Sequence, residues 1–333
     1  MQSRGLVGLE TGDQLMTRPR VLLTDHPWPD TSIESAIFDA AGLELVAAAP
    51  NADTEQLLAL ADGAVGIVTC WAQVPRALLA LPTIRVVSRL GVGLDNIDVS
   101  AAAELGIVVT YVPDYCVEEV SDHAVALSLA WARGLSFFEA DVRAGRWRPG
   151  AVTPRRVRDL SIGVWGLGRI GTMTARKFAA LGCSVIVDRR HPERTGGFRS
   201  LAPLDLAASV DVLSLHMPLN QHTRNIVDAN ILEAMRPAAL LVNVSRGALV
   251  DVNALVDALD AGRPGAAALD VLPNEPEIPP RLRGRSDVVI TPHVAFASDA
   301  SVATLRTRAC EDHVSALRGA PPPHVILPSA PLR

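Results

Sequence analysis

Short apolar runs alternate with stretches of helical periodicity along most of this chain. Runs at 21–25, 43–47, 64–69, 84–89 and 107–110 have strand character, and the segments 32–41, 54–61, 75–81 and 100–105 between them pattern as helices. Strands separated by short helical segments predict βαβ units and a parallel sheet. Pro113 and Asp114 interrupt the pattern. A long apolar-rich helix is then expected over 117–144, followed by an arginine- and proline-containing loop over 145–160. A second series begins at Ser161. Its strands are expected at 161–165, 183–187, 210–215, 239–243, 266–270 and 288–290, with helices over 172–181, 226–235 and 252–261 and a closing helix over 301–318. The fold class is therefore α/β, with two parallel-sheet domains. The first resembles a flavodoxin-like domain. The second series lies well inside the chain, so a domain over 117–296 is expected to be inserted between two pieces of another, 20–116 and 297–333. Residues 1–19 are polar and read as a disordered leader in which Met16 offers an alternative start, and Pro321, Pro322 and Pro323 begin a tail.

The stretch from Ser161 to Gly171 gives the second domain its chemistry. An apolar strand reaches Gly166-Leu167-Gly168-Arg169-Ile170-Gly171, a Gly-x-Gly-x-x-Gly turn that opens a helix. The first glycine of such a turn permits the tight bend, the second lets the backbone approach a pyrophosphate, and the third allows the helix to pack on the strand. The helix N-terminus then offers unpaired N–H groups and a partial positive charge to the anion. The next apolar run ends in Asp188, where a carboxylate reaches an adenosine ribose diol. Asp188 repels a 2′-phosphate, which favours NAD over NADP. Arg189 and Arg190 follow it directly and suit such a phosphate, so NADP stays open.

Bulk properties narrow the classes. With 49% hydrophobic and 20% charged residues over 333, the composition is that of a globular protein with material for two domains. A net charge of −5 leaves no electrostatic footprint for nucleic acid. No apolar run is long enough for a membrane span, and no secretory signal core is present, so neither membrane nor nucleic acid is an expected partner. Cys70, Cys116, Cys183 and Cys310 are scattered without metal-ligand spacing and read as reduced thiols of a cytoplasmic protein, with no metal site expected.

Three strand ends in the last third carry polar groups: Arg246 after 239–243, Glu275 in the proline-rich loop after Asp270, and His293 after 288–290. Ligands of α/β folds bind at that carboxyl edge. Oxidation of an alcohol requires a base for the hydroxyl proton, which a histidine supplies. A carboxylate on the histidine fixes its tautomer and stabilises its charged form. An arginine binds an acid group bidentately. Singly, Arg246 also fits a surface ion pair, Glu275 a solvated loop acid and His293 a capped loop residue; their joint placement beside a nucleotide motif favours catalysis.

Several stretches together resemble the D-isomer-specific 2-hydroxyacid dehydrogenase family: VVSRLGVGLDNID from Val86, VPDYCVEEVSDHAVAL from Val112, VWGLGRIG from Val164, HMPLNQHT from His216, LVNVSRGALVD from Leu241, ALDVLPNEP from Ala268 and TPHVAFAS from Thr291. The likeness runs from about residue 20 to 320 and implies two Rossmann/flavodoxin-like domains with the active site in the cleft between them. It implies Arg246, Glu275 and His293 as the catalytic set. It further implies substrate contacts from Leu90, Gly91, Val92 and Gly93 through backbone amides. Cofactor contacts are implied at Gly166, Gly168, Arg169, Ile170, Gly171 and Asp188, with His216, Thr223 and Val244 along the cofactor and Asp270 at the nicotinamide carboxamide. The long helix from Val117 would help form a homodimer. Arg89 and Phe296 resemble the C-terminal-binding-protein and phosphoglycerate-dehydrogenase side of the family, where they imply contact with an acidic substrate; a strand-end ion pair is the alternative for Arg89. Relatives that oxidise phosphite carry a lysine at the position of Val92, which argues against that substrate. Cys70, Trp71 and Gln73 are expected near the substrate's side chain.

The expected function is NAD-dependent interconversion of a small D-2-hydroxy acid and its 2-oxo acid, with His293 as acid/base. Two alternatives stand beside it: a hydroxyalkylphosphonate dehydrogenase, and an NAD-sensing, corepressor-like binding protein. The intact Arg246, Glu275 and His293 set argues for retained chemistry.

Overall fold

The computed structural model of the protein describes residues 18–188, 195–320, 322 and 324–326. The expectations for residues 1–17, for Arg189 and Arg190, and for most of the proline tail lie outside the described residues. The described residues divide into two compact units: those up to Leu90, with Asn96–Tyr111 and those from Arg306 onward, form one, and Gly91–Asp95 with those between Val112 and Leu305 form the other. The division falls within the closing helix, Asp299–Leu317.

In the first unit, β1 (Arg20–Leu23), β2 (Glu44–Ala47), β3 (Ala64–Thr69), β4 (Val86–Arg89) and β5 (Val108–Tyr111) pair in parallel in the order β2-β1-β3-β4-β5. This is the flavodoxin order, which reverses direction between β1 and β3. The interior strands read as unbroken apolar runs because helices cover both faces of a parallel sheet; β4 is buried along its whole length, whereas edge strand β2 is not.

The second unit holds β6 (Ser161–Trp165), β7 (Ser184–Asp188), β8 (Arg199–Leu201), β9 (Val212–Leu215), β10 (Leu240–Asn243), β11 (Ala266–Leu269) and β12 (Val288–Ile290), all parallel, in the order β8-β7-β6-β9-β10-β11-β12. That is the Rossmann order extended by one strand, with its reversal between β6 and β9. Register carries the consequence for chemistry. Trp165 pairs with Leu215, Leu215 with Asn243, Asn243 with Leu269, and Leu269 with Ile290. The strands therefore end level, and the residues just beyond them share one edge. Last comes β13 (Val325–Ile326), antiparallel to β5 at the edge of the first unit's sheet.

The α/β class with two Rossmann-like sheets agrees with the sequence expectation. The single helix expected over 117–144 does not form. It breaks into Val117–Ala132 and Leu135–Arg143 because Gly134 takes a left-handed φ of 65° between them. A glycine adopts that conformation without steric cost, and the helix path cannot continue through it. The short strands β8 and β13 and the helix Pro203–Ser209, opened by its proline, escaped the sequence reading.

Candidate active site

The glycine turn follows directly from β6. Gly166 has a φ of +102°, and a Cβ on it would lie 2.7 Å from the carbonyl carbon and oxygen of His216. A Cβ on Gly171 would lie 1.9 Å from the Gly166 oxygen. The protein's own packing thus requires both glycines. Gly168 differs: its φ is −74° and a Cβ there would meet nothing within 4 Å. No neighbour in the protein demands a glycine at the head of the helix Arg169–Ala180, so the open approach to its N–H groups suits an incoming anion. Arg169 is exposed there, Ile170 is half-buried, and Gly168, Arg169, Thr172, Met173 and Arg176 line an open groove of about 560 Å³ with Val117 and Leu167. Asp188, at the end of β7, is nearly buried and its Oδ1 accepts the Gly166 N–H at 2.9 Å.

On the other side of the strand reversal, the His216 N–H donates to Trp165 at 2.7 Å. Its Nε2 lies 2.8 Å from Ser214 Oγ. Burial pushes the His216 pKa down to about 3, so the ring is neutral in ordinary buffers. Thr223 is buried and turned into its own loop, its Oγ1 donating to the Pro218 carbonyl at 2.7 Å and accepting from the Asn220 N–H at 2.8 Å. Val244 packs into the apolar core behind β10. These residues, with the glycine turn, are the ones able to hold a dinucleotide.

Beyond β10 the backbone is tied down before it reaches Arg246. Asn243 Nδ2 donates to the Arg246 carbonyl at 2.9 Å, its Oδ1 accepts the Ser245 N–H at 3.1 Å, and Ser245 Oγ donates to Met217 at 2.6 Å. The Arg246 guanidinium donates from Nε to Asp95 Oδ1 at 2.9 Å and from one Nη to the Ser245 carbonyl at 2.8 Å. It lies where a Cβ on Gly93 would stand, 1.6 Å from its other Nη. The expected substrate loop and the expected catalytic arginine therefore meet at Gly93. Gly247 plays a parallel part: a Cβ on it would be 1.9 Å from the Leu272 carbonyl carbon. Its absence lets the loop carrying Glu275 close on the residue after Arg246.

Glu275 is fixed at both oxygens. Oε1 accepts the Leu272 N–H at 2.9 Å, and Oε2 lies 2.7 Å from His293 Nδ1. Burial alone would raise its pKa; the His293 hydrogen bond and charge, the Leu272 N–H and the Arg246 charge outweigh it, and the net shift is downward. The carboxylate is ionised at neutral pH and accepts the Nδ1 proton. His293 itself has a φ of 52°, unusual for a residue with a Cβ. Its N–H donates to the Asp270 carbonyl at 2.8 Å. The Asp270 carboxylate is buried and gathers the same loop, accepting from Thr291 Oγ1 at 2.5 Å, the Val294 N–H at 2.9 Å and the Ala295 N–H at 3.0 Å.

Arg246, Glu275 and His293 thus share one sheet edge within one unit, with Phe296 beside them at 6.2 Å, edge-on to the His293 ring. Val92 packs on the core nearby. Arg89 and Leu90 belong to the other unit, at the end of β4. Arg89 is buried, donates from Nε to Asn96 Oδ1 at 3.2 Å, and from one Nη to the Leu90 carbonyl. In the loop after β3, burial pushes the Cys70 thiol up to about 12, against the opposing charge of Arg89, so it is unreactive; Trp71 and Gln73 are exposed.

Sequence reasoning missed three residues: Asp95 on Arg246; Tyr115, which packs on Phe296 at 6.4 Å; and His123, whose Nε2 lies 3.0 Å from Thr291 Oγ1. All three stand inside stretches that carry the family resemblance, where an acid, an aromatic ring and a histidine among small residues were the available signals. Among the described residues, no cluster of His, Cys, Asp or Glu could hold a metal ion, and no helix is long and apolar enough to cross a membrane.

Two Rossmann-like sheets, one with an open glycine turn and a carboxylate-paired histidine on the same edge, define the general class of two-domain nucleotide-linked dehydrogenases. The sequence model for the D-isomer specific 2-hydroxyacid dehydrogenase NAD binding domain matches residues 125–295, and the chain belongs to that family. It is 34% identical to a glyoxylate reductase of Aeropyrum pernix, over 93% of this chain and 96% of the relative. It is likewise 34% identical to a D-3-phosphoglycerate dehydrogenase of Mycobacterium bovis over 91% of this chain, but spans only 57% of that relative's length. Among solved structures it superimposes with a TM-score of 0.82 on an NADPH-dependent glyoxylate/hydroxypyruvate reductase of Sinorhizobium meliloti in complex with NADP and malonate, at 33% identity over 95% of this chain and 99% of that one.

Proposed function

We propose that the protein is an NAD-dependent oxidoreductase that interconverts a small D-2-hydroxy acid and its 2-oxo acid, with His293 as the acid/base. The observation that carries this reading is the 2.7 Å pairing of His293 Nδ1 with a Glu275 carboxylate already anchored by a backbone N–H. With Nδ1–H given to Glu275, His293 Nε2 is the nitrogen that takes the hydroxyl proton on oxidation and returns it to the carbonyl oxygen on reduction. Glu275 holds the ring orientation and stabilises the imidazolium formed. Arg246, held on Asp95, receives the substrate's carboxylate and polarises the carbonyl next to it. Gly91, Val92 and Gly93 present backbone amides to the same acid group, and Phe296 walls the histidine. When bound, the nicotinamide cofactor supplies and accepts the hydride.

Asp188 favours a free ribose diol over a 2′-phosphate, which is the basis for NAD. The NADP complex of the Sinorhizobium reductase makes the cofactor preference the first quantity to measure. Asp188→Ala should shift the NAD/NADP ratio of kcat/KM about tenfold toward NADP; an unchanged ratio would remove the role given to Asp188. A homodimer and a cytoplasmic location belong to the same reading, the latter supported by four buried cysteines that form no disulfide.

The test is a turnover screen with NADH and NADPH against 2-oxo acids, and with NAD against hydroxy acids and hydroxyalkylphosphonates. Turnover of 2-oxo acids is expected. Tight NADH binding without turnover of any compound would leave the cofactor-sensing alternative in possession, and turnover confined to hydroxyphosphonates would move the substrate class.

A further inference from the structure

We infer that His123 is a positioning residue for His293, acting through Thr291 and Asp270; the inference rests on the reading of His293 as the acid/base. His123 lies on the helix Val117–Ala132, among the core-facing positions Val120, Ala124 and Leu127. A histidine on that apolar face gains a reason from what it touches. Its Nε2 lies 3.0 Å from Thr291 Oγ1 and 3.6 Å from Asp270 Oδ1.

The direction of each hydrogen bond follows from proton counting. Thr291 has one hydroxyl proton, and the Asp270 carboxylate 2.5 Å away can only accept it. The Thr291 oxygen must then accept from His123, so His123 carries its proton on Nε2. The chain runs His123 Nε2–H to Thr291 Oγ1, and Thr291 Oγ1–H to Asp270. The same Asp270 Oδ1 takes the Val294 N–H, Oδ2 takes the Ala295 N–H, and the Asp270 carbonyl takes the His293 N–H. Asp270 is thus the hub of the loop that holds His293 at its φ of 52°. A residue with a Cβ keeps a left-handed backbone only where its surroundings over-determine it. His123 restrains this hub from the long helix. Without it, the Thr291 hydroxyl and the carboxylate are free to turn, the 294 and 295 amides slacken, and the His293 ring loses its line to Glu275 and substrate. Misplacing a reacting group by a fraction of an ångström costs rate rather than cofactor binding.

The experiment measures kcat, NADH affinity and thermal unfolding for His123→Phe, His123→Gln, Thr291→Val, the Phe/Val double variant and His293→Ala. Phe keeps the ring volume and removes the donor, whereas Gln returns an N–H near the position of Nε2. His123→Phe and Thr291→Val should each lower kcat about tenfold or more, with the NADH Kd within about twofold. His123→Gln should recover most of the loss, and His123→Phe should cost less than about twofold once Thr291 is Val. Equal losses for Gln and Phe, losses that multiply in the double variant, or full turnover in Thr291→Val would each overturn the inference. Thr291→Val decides the matter if His123→Phe does not fold. Undiminished turnover in His293→Ala would instead overturn the acid/base reading beneath it, so the two failures are told apart.

Discussion

Between β1 and β3 in one unit, and between β6 and β9 in the other, the strand order reverses and the loops diverge to leave a crevice at the carboxyl edge. In the first crevice the chain supplies its own anion. The Asp25 carboxylate accepts the N–H groups of Cys70 at 2.9 Å, Trp71 at 2.6 Å and Ala72 at 3.1 Å, with the Thr24 hydroxyl at 2.8 Å. In the second, Gly168 leaves the head of a helix open: beyond its immediate chain neighbours, nothing lies within 4 Å of where its side chain would stand. The backbone donors at one edge are spent on the fold, and at the other the approach to them is left open. An acid at the first switch point should therefore matter for stability, and residues around the second for binding and rate.

The largest expected effect tests the catalytic end of the second edge. His293→Ala should lower turnover by about 10²–10⁴-fold, the usual worth of a general acid/base, and leave NADH binding nearly unchanged. Steady-state kinetics beside a fluorescence titration separates the two. Loss of NADH affinity instead would mean that His293 is part of the cofactor site.

Asp25→Ala should act in the opposite manner. It strands three N–H groups that now meet a carboxylate, at a cost of about 3 kcal/mol. Denaturant unfolding should show the loss while the NADH Kd stays put. A fall in NADH affinity without a fall in stability would break the division between the two edges.

Buried histidines sharpen the same comparison under acid. His313, in the first unit, is fully buried, with Nδ1 2.7 Å from Ser88 Oγ and its ring against Gly66, and burial pushes its pKa down to about 3. The unfolded chain binds the proton near pH 6.5 and the folded one does not. Its contribution is therefore fully present above about pH 6.5 and is lost as the pH falls toward 3. By pH 5 the loss is about 2 kcal/mol. His313→Gln should flatten the decline of stability between pH 6.5 and 4; an unchanged slope would show that the ring does not stay neutral in the fold.

The sequence made one of these edges far more legible than the other. Gly166, Gly168, Gly171 and Asp188 were legible because the glycine turn stands between an apolar strand and a helix and the next apolar run ends in an acid, and Arg246, Glu275 and His293 because they follow apolar runs whose lengths marked the strand ends. Asp25 also closed an apolar run, yet nothing local distinguished it: its partners are 45–47 residues away, and pairings of that range follow from sheet order. Asp95 and His123 were hidden for the same reason, being separated from their partners by 151 and 168 residues. The break at Gly134 was missed because the apolar pattern runs through it and only backbone conformation reveals the turn.

The smallest effect is the most specific to the contrast. Gly168→Ala places a methyl group in open space at a φ of −74° that alanine readily adopts. Stability should be unchanged or rise by about 0.4–1 kcal/mol, because alanine narrows the unfolded ensemble. NADH binding should nonetheless weaken, by about tenfold, as the methyl group intrudes where the backbone must approach the pyrophosphate. Gly171→Ala is the control, since its Cβ would lie 1.9 Å from the Gly166 oxygen and must strain the turn itself. A variant that is as stable as the parent and binds cofactor poorly would show that this glycine is kept for the ligand. Unimpaired NADH binding in Gly168→Ala would mean that the pyrophosphate does not come close to this residue, and the second crevice would then lose its claim to be the open one.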